Sequence, residues 1–157
     1  MQWIALSLSP SPSGTALSGD ASAAPMAQGG LAVLAIWALQ FTPRVAIVDE
    51  AVVLEVEGCL RLFGGRKALH DRLAAEAREL GCTAIGWAPN SLAALACTRA
   101  GIVNGLRLPL HELLDALPLE VLSATGPCRV TLAQLGCRTL GDVRRLPRGG
   151  ISRRFGQ

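Results

Sequence analysis

The order in which strand-like and helix-like apolar segments follow one another is what most constrains this chain. Residues 2–8 read as a short strand. Leu31 to Phe41 is apolar nearly all round, which suits a buried helix, and Pro43 stops it. Residues 44–48 and 51–57 then read as a hairpin, with Asp49-Glu50 near the turn. In its second strand Val52, Leu54 and Val56 share one face, and Val53, Glu55 and Glu57 the other. Gly64-Gly65-Arg66 lacks the downstream Gly-Lys-Ser/Thr of a phosphate loop and reads as a turn. A helix over 67–80 puts Leu69, Leu73, Ala77 and Leu80 on one stripe, and Gly81 is a natural stop. A strand at 83–87 and a helix at 91–100, ending at Gly101, complete the series. A β-α-β-β-α-β run is the ferredoxin-like arrangement, an α+β fold whose mainly antiparallel sheet carries helices on one face.

After a connector at 102–109 the pattern becomes purely helical. Short helices are expected at 110–117, 127–135 and 139–146, the second followed by Gly136. In the third, Thr139 and Asp142 stand at N-cap and N3, a weaker relative of the capping box. The chain thus divides into an α+β domain at 1–101 and a small all-α subdomain at 102–157. Within the first, 17 of the 22 residues from 9 to 30 are Ser, Pro, Gly or Ala, the composition of a flexible linker.

Charge separates the same two parts. From Cys128 to Gln157 there are seven arginines and one acid, whereas the first 127 residues hold eight basic and eleven acidic side chains. A basic helical end on a mildly acidic body suggests a phosphate-facing surface. Short helices meeting at Thr125-Gly126-Pro127 and at Gly136 look like a helix-hairpin-helix unit, whose glycine turn leaves backbone N–H groups for phosphate. Thr125, Gly126 and Gly136, with Arg129, Arg138, Arg144, Arg145 and Arg148, are the candidate DNA-contacting residues. The competing reading is a solvated basic face.

Other chemistries find little support. Asp49 and Glu50 are the only adjacent carboxylates; a magnesium site for phosphoryl transfer needs several oxygens converging from different strands, and an isolated pair is more often a polar turn. His70 and His111 lie far apart without a visible partner, so no nucleophile and base can be paired. Five cysteines without a C-x-x-C pair, and two histidines, assemble no zinc pattern; such thiols fit a reduced, cytoplasmic protein. The apolar run Leu31–Leu39 falls far short of the roughly 20 residues that span a bilayer, and no membrane association is expected. The first residues lack the basic start of a signal peptide, although Ala21-Ser22-Ala23-Ala24 faintly resembles a cleavage site.

Four stretches together carry a family resemblance. They are Trp37–Val45, Leu54–Gly65 (Leu-Glu-Val-Glu-Gly-Cys-Leu-Arg-Leu-Phe-Gly-Gly), Ile85–Asn90 (Ile-Gly-Trp-Ala-Pro-Asn) and Leu135–Val143. In this order, residues 31–157 resemble the palm and thumb of Y-family (translesion) DNA polymerases, the ImuB-type branch above all. The second stretch is similar to the strand and turn after the family's catalytic acids. The third is similar to its Gly-Ile-Ala-x-Asn segment, and the fourth to its thumb.

The departures from the family pattern set the functional expectation. Active members carry an Asp on the first strand that shares two magnesium ions with a later Asp-Glu. Here that strand offers Ser7 and Ser9. Ile47-Val48-Asp49-Glu50-Ala51 resembles the family's Ser-Ile-Asp-Glu-Ala, one residue out of step when counted from Leu54-Glu55-Val56. Basic residues that follow the Asn in active members are replaced by Ser91 and Leu95. The 9–30 linker stands where the fingers belong, the chain stops at Gln157 before a little finger, and the thumb turn reads Ala124-Thr125-Gly126-Pro127 for the usual Gly-x-Gly-Pro. Phosphoryl transfer rests on positioning and charge stabilisation, so these losses imply no polymerase activity and no cofactor. The resemblance implies an adaptor or DNA-binding role in mutagenic DNA repair. Its partners would be DNA, an error-prone replicative-type polymerase, a RecA-like accessory protein and the sliding clamp. The rival is a residual magnesium-dependent nucleotidyltransferase using Asp49 and Glu50 with Glu55 or Glu57; a third reading is a truncated product without function.

Overall fold

The computed structural model describes residues 1–8, 23–147 and 149. Four strands, β1 (Trp3–Ser7), β2 (Val45–Val48), β3 (Ala51–Glu55) and β4 (Ala84–Ala88), form one sheet in the order β2-β3-β1-β4. Every neighbouring pair is antiparallel. Together with α1 (Ala23–Ala38) and α2 (Arg66–Glu79), this is the ferredoxin-like order expected from the sequence. The β2-β3 hairpin closes through Asp49-Glu50, where Val48 faces Ala51. Asp49 takes a left-handed φ of 52°, a conformation that Asp tolerates better than most residues and that two-residue hairpins favour.

Alternation along the strands divides the sheet into two faces. Ile4, Leu6, Val52 and Leu54 pack with Leu31, Leu34 and Ala38 of α1 and Leu69, Leu73 and Ala77 of α2 in one buried core. The other face is not open. A third helix, α3 (Ser91–Arg99), lies against β1, β3 and β4, so helices cover both faces rather than the single face expected. The reason lies in side-chain size. Ala5, Val53 and Gly86 give a shallow surface, and the helix meets it with buried Ala93, Ala94, Cys97 and Thr98. A Cβ on Gly86 would sit 2.5 Å from Thr98 Oγ1 and 2.7 Å from the Ala94 carbonyl oxygen, so only glycine permits this approach. The Thr98 hydroxyl lies 2.8 Å from the Ala94 carbonyl and 3.2 Å from that of Ala5, tying helix to strand.

Other local readings shift for identifiable reasons. The 9–30 linker is helical from Ala23 on, with Pro25 in the first turn, where a missing N–H is harmless; residues 9–22, Ser9 included, lie outside the described residues. At Gly30 a Cβ would come within 2.8 Å of the end of the Leu8 side chain, so this glycine of the linker lies beside the end of β1. The following segment is not buried all round. Leu31, Leu34 and Ala38 face the sheet, whereas Val33, Ile36 and Leu39 are exposed. Strand β3 stops at Glu55, two residues early, and Glu57–Cys59 forms a 3-10 turn. Gly64 and Gly65 have φ of 75° and 95° and lead into α2, which makes that pair the turn it was read to be.

The chain divides into two compact units between Arg107 and Leu108. Residues 102–107 stay with the first because the Trp87 N–H donates to the Val103 carbonyl and the Gly105 N–H to that of Trp87. The second unit holds α4 (Leu110–Ala116), α5 (Arg129–Gln134) and α6 (Leu140–Arg145). The segment expected as one helix over 127–135 is a 3-10 turn (Ser123–Cys128) followed by α5, with Pro127 inside the turn. Leu119, Leu132 and Cys137 form a small core with Cys128, Leu140, Val143 and Leu146 against it. Gly141 lets α6 approach α4, since a Cβ there would lie 2.8 Å from the Asp115 carbonyl oxygen. Thr139 caps α6 in a complete capping box with Asp142.

Close packing of α3 should make Gly86 intolerant of any side chain. Gly86→Ala is expected to destabilise the first unit by about 1–3 kcal/mol in urea unfolding, because overpacking must be relieved by backbone movement. Gly58→Ala, where a Cβ meets nothing within 4 Å, is the control and should leave the midpoint almost unchanged.

Candidate functional site

Three chain segments meet at one end of the sheet. Ser7 ends β1, and its Oγ lies 3.5 Å from the Glu50 carbonyl oxygen. Asp49 and Glu50 form the β2-β3 turn, and Arg99 closes the last turn of α3. Asn90 fixes where that helix starts, because its side chain accepts the Ala93 N–H at 2.8 Å. With its start fixed and its face set by Gly86, α3 delivers Arg99 to the acidic turn.

The Arg99 guanidinium grips both carboxylates. Its Nε donates to Glu50 Oε1 at 2.6 Å, and its Nη2 donates to Glu50 Oε2 at 2.8 Å and to Asp49 Oδ2 at 2.7 Å. The arginine side chain is only 7% exposed, whereas those of Asp49 and Glu50 are 45% and 36% exposed. Such a charge-assisted fork is among the stronger polar contacts a protein makes. It holds the Glu50 carboxyl below its ordinary range, chiefly through the Arg99 hydrogen bonds, and it holds the guanidinium proton more firmly.

This arrangement does not fit a two-magnesium centre. A hydroxyl stands at the strand position facing the turn, and both acids already carry a cationic partner. No group of three or more His, Cys, Asp or Glu converges among the described residues. Glu55 does not join the pair: it ends β3 opposite Trp3, whereas the turn lies beside Ser7 at the other end of β1. Glu55 is buried rather than solvent-exposed, accepting the Glu57 N–H at 2.9 Å and facing Arg44 at 3.5 Å. Leu95, where active members carry a basic residue, is a buried apolar side chain of α3, 3% exposed. The histidines stay outside this site; His70 stacks on Trp87, with ring centroids 6.1 Å apart.

The basic residues of the second unit sort into two kinds. Arg144 forks onto Asp115 and Arg145 pairs with Asp142, so both have intramolecular carboxylate partners. Arg129 and Arg138 are exposed and have no ion pair among the described residues; Arg148 lies outside them. The glycine turn exists, with Gly136 at a φ of 79°, but its N–H groups are committed internally. Those of Gly136 and Cys137 donate to the Ala133 and Leu132 carbonyls, and those of Arg138 and Thr139 to Asp142 Oδ2. These last bonds hold the Asp142 carboxyl below its ordinary range. The Thr125 hydroxyl is spent on the Leu119 and Leu122 carbonyls, and Gly126 sits inside the 3-10 turn. Phosphate would therefore meet arginine side chains here rather than a nest of N–H groups.

Arg99 was not visible as a site residue in the sequence. A basic residue in the last turn of a helix is ordinary, and its pairing partners lie about fifty positions away. The one available signal was an adjacent acid pair in a tight turn, whose charge needs a partner.

No family model matches the chain. It is 35% identical over 127 residues to DNA polymerase IV of Desulfatibacillum aliphaticivorans, a match covering 75% of this chain and 32% of that protein. It is 29% identical over 133 residues to protein ImuB of Caulobacter vibrioides strain NA1000 / CB15N, covering 82% of this chain and 29% of that one. Among solved structures, DinB from Sulfolobus solfataricus superposes with a TM-score of 0.66 at 14% identity, over 85% of this chain and 42% of that chain. The chain therefore spans about a third of the length of these curated relatives. The Y-family polymerase-like character read from the four motifs is carried by both sequence and fold.

The Arg99 fork gives stability a defined pH dependence. Because Glu50 is more acidic folded than unfolded, its contribution is fully present above the unfolded value of about 4.5 and is lost as pH falls through the lowered folded value. Urea unfolding from pH 7 to pH 3 should show a stability gap between wild type and Glu50→Gln that narrows below about pH 4.5. A gap that stays constant to pH 3 would mean that the carboxylate charge is not what Arg99 holds.

Proposed function

We propose that this chain is a non-catalytic, Y-family polymerase-like component of DNA repair and mutagenic translesion synthesis, acting through DNA binding and partner contacts rather than nucleotide transfer. One observation carries the reading: at the acidic turn a buried arginine is paired with both carboxylates, and the facing strand offers serine. A hydroxyl and a guanidinium there supply neither the anionic charge nor the open coordination positions that magnesium-dependent phosphoryl transfer requires. No cofactor is part of this reading. The rival nucleotidyltransferase would need Glu55 or Glu57 at the acidic turn, and Glu55 lies at the far end of the strand.

The relative named DNA polymerase IV supports DNA as the ligand. The helix-hairpin-helix-like second unit is the proposed contact, with Arg129 and Arg138 meeting phosphates and Gly136 shaping the turn between them. Arg144 and Arg145 then serve mainly to hold α6 to Asp115 and to the capping box. A replicative-type error-prone polymerase, a RecA-like accessory protein and a sliding clamp are the proposed protein partners, in the cytoplasm. Among the described residues no helix is long and apolar enough to cross a membrane.

Two experiments test the two halves of this reading. Primer extension on a primed template, with magnesium or manganese, should give no incorporation; incorporation that disappears in Asp49→Ala would establish the rival instead. DNA affinity titrated against salt should give a log–log slope that falls by about two in Arg129→Ala/Arg138→Ala. The same titration of Arg144→Ala should change the slope by less than about one, because that charge is already neutralised by Asp115.

A further inference from the structure

The disagreement between the acidic turn and a metal centre has a specific cause on this chain. Three of the four side-chain oxygens of Asp49 and Glu50 accept hydrogen bonds from one guanidinium. That guanidinium is nearly enclosed, and α3 is pinned by the Asn90 cap and by the Gly86–Thr98 contact, so it cannot swing away as a surface arginine would. A hard divalent cation seeks the same carboxylate lone pairs at short range, and would approach a fixed positive charge to do so. The surroundings otherwise suit such an ion. The Ser7 hydroxyl and the Glu50 carbonyl oxygen add neutral oxygens beside the pair, and the carboxylates keep partial access to solvent.

We infer that Arg99 is a built-in counter-ion that closes the Asp49-Glu50 turn to divalent cations, and that removing its charge opens a site for a hard ion of the magnesium or manganese class. This inference rests on the non-catalytic reading and gives it a residue. Arg99 acts as a positioning and excluding residue, holding the hairpin tip to α3 in the place where an ion would otherwise bridge carboxylates.

The test is Mn2+ binding followed by electron paramagnetic resonance of the free ion, with the full chain and with folding checked by circular dichroism. Arg99→Gln and Arg99→Met, the second keeping more of the apolar stem, should bind Mn2+ at least about tenfold more tightly than wild type. Arg99→Gln/Glu50→Gln should lose that gain. Wild type binding Mn2+ as tightly as Arg99→Gln, no gain in either variant, or a gain that survives in the double variant would each overturn the inference. Should the Arg99 variants fail to fold, Ser7→Asp keeps the question open to refutation. With Arg99 in place it is expected to bind Mn2+ no better than wild type, and a gain of about tenfold or more there would overturn the inference. Primer extension is not read in these experiments, so exclusion of the ion can fail while the non-catalytic reading stands.

Discussion

The contact of α3 with the sheet at Gly86 is the constraint on which the acidic site depends. Without a Cβ at that position the helix backbone comes within van der Waals range of β4, and the Thr98 hydroxyl reaches the β1 carbonyl of Ala5. A helix seated this closely has no freedom to slide, so its last turn must end beside the β2-β3 hairpin. The arginine found there, Arg99, is enclosed by the same packing that places it. Had the face been built from larger residues, α3 would stand further out and Arg99 would be an ordinary surface cation. Packing therefore sets the electrostatics of the hairpin tip.

Most of the framework was legible because it rests on local periodicity. Val52 and Leu54 announce a strand, Leu69, Leu73 and Ala77 a helix stripe, and Thr139 with Asp142 a cap; each is found as read. What escaped depends on contacts distant in sequence. Nothing local shows that Gly86 and Thr98 touch or that α3 takes the second face of the sheet. The same holds for the site. Asp49 and Glu50 could be named from their adjacency, but the side chain that neutralises them lies about fifty residues further on. Nor does alternation along the strand show that Glu55 is buried, accepting the Glu57 N–H and facing Arg44.

The second unit shows the same difference between charge counted and charge available. Its arginine excess is plain in the sequence, yet Arg144 and Arg145 are drawn into internal pairs, and Asp142 takes the backbone N–H groups that a phosphate would use. One acid, placed at N3 of a short helix, both caps the helix and fills the anion position of the turn. The carboxylate there does chemically what a bound phosphate oxygen would do. In both units, then, charge that the sequence shows is taken up by internal partners: the acidic turn by the Arg99 guanidinium in the first, the backbone N–H groups after Gly136 by the Asp142 carboxylate in the second.

The energetic coupling between Arg99 and Glu50 is measured directly by a double-mutant cycle. Urea unfolding of wild type, Arg99→Gln, Glu50→Gln and the double variant at pH 7 should give a favourable coupling of at least about 1 kcal/mol. A coupling indistinguishable from zero would mean that the fork contributes nothing to the fold, and would remove the reason for treating the acidic turn as occupied.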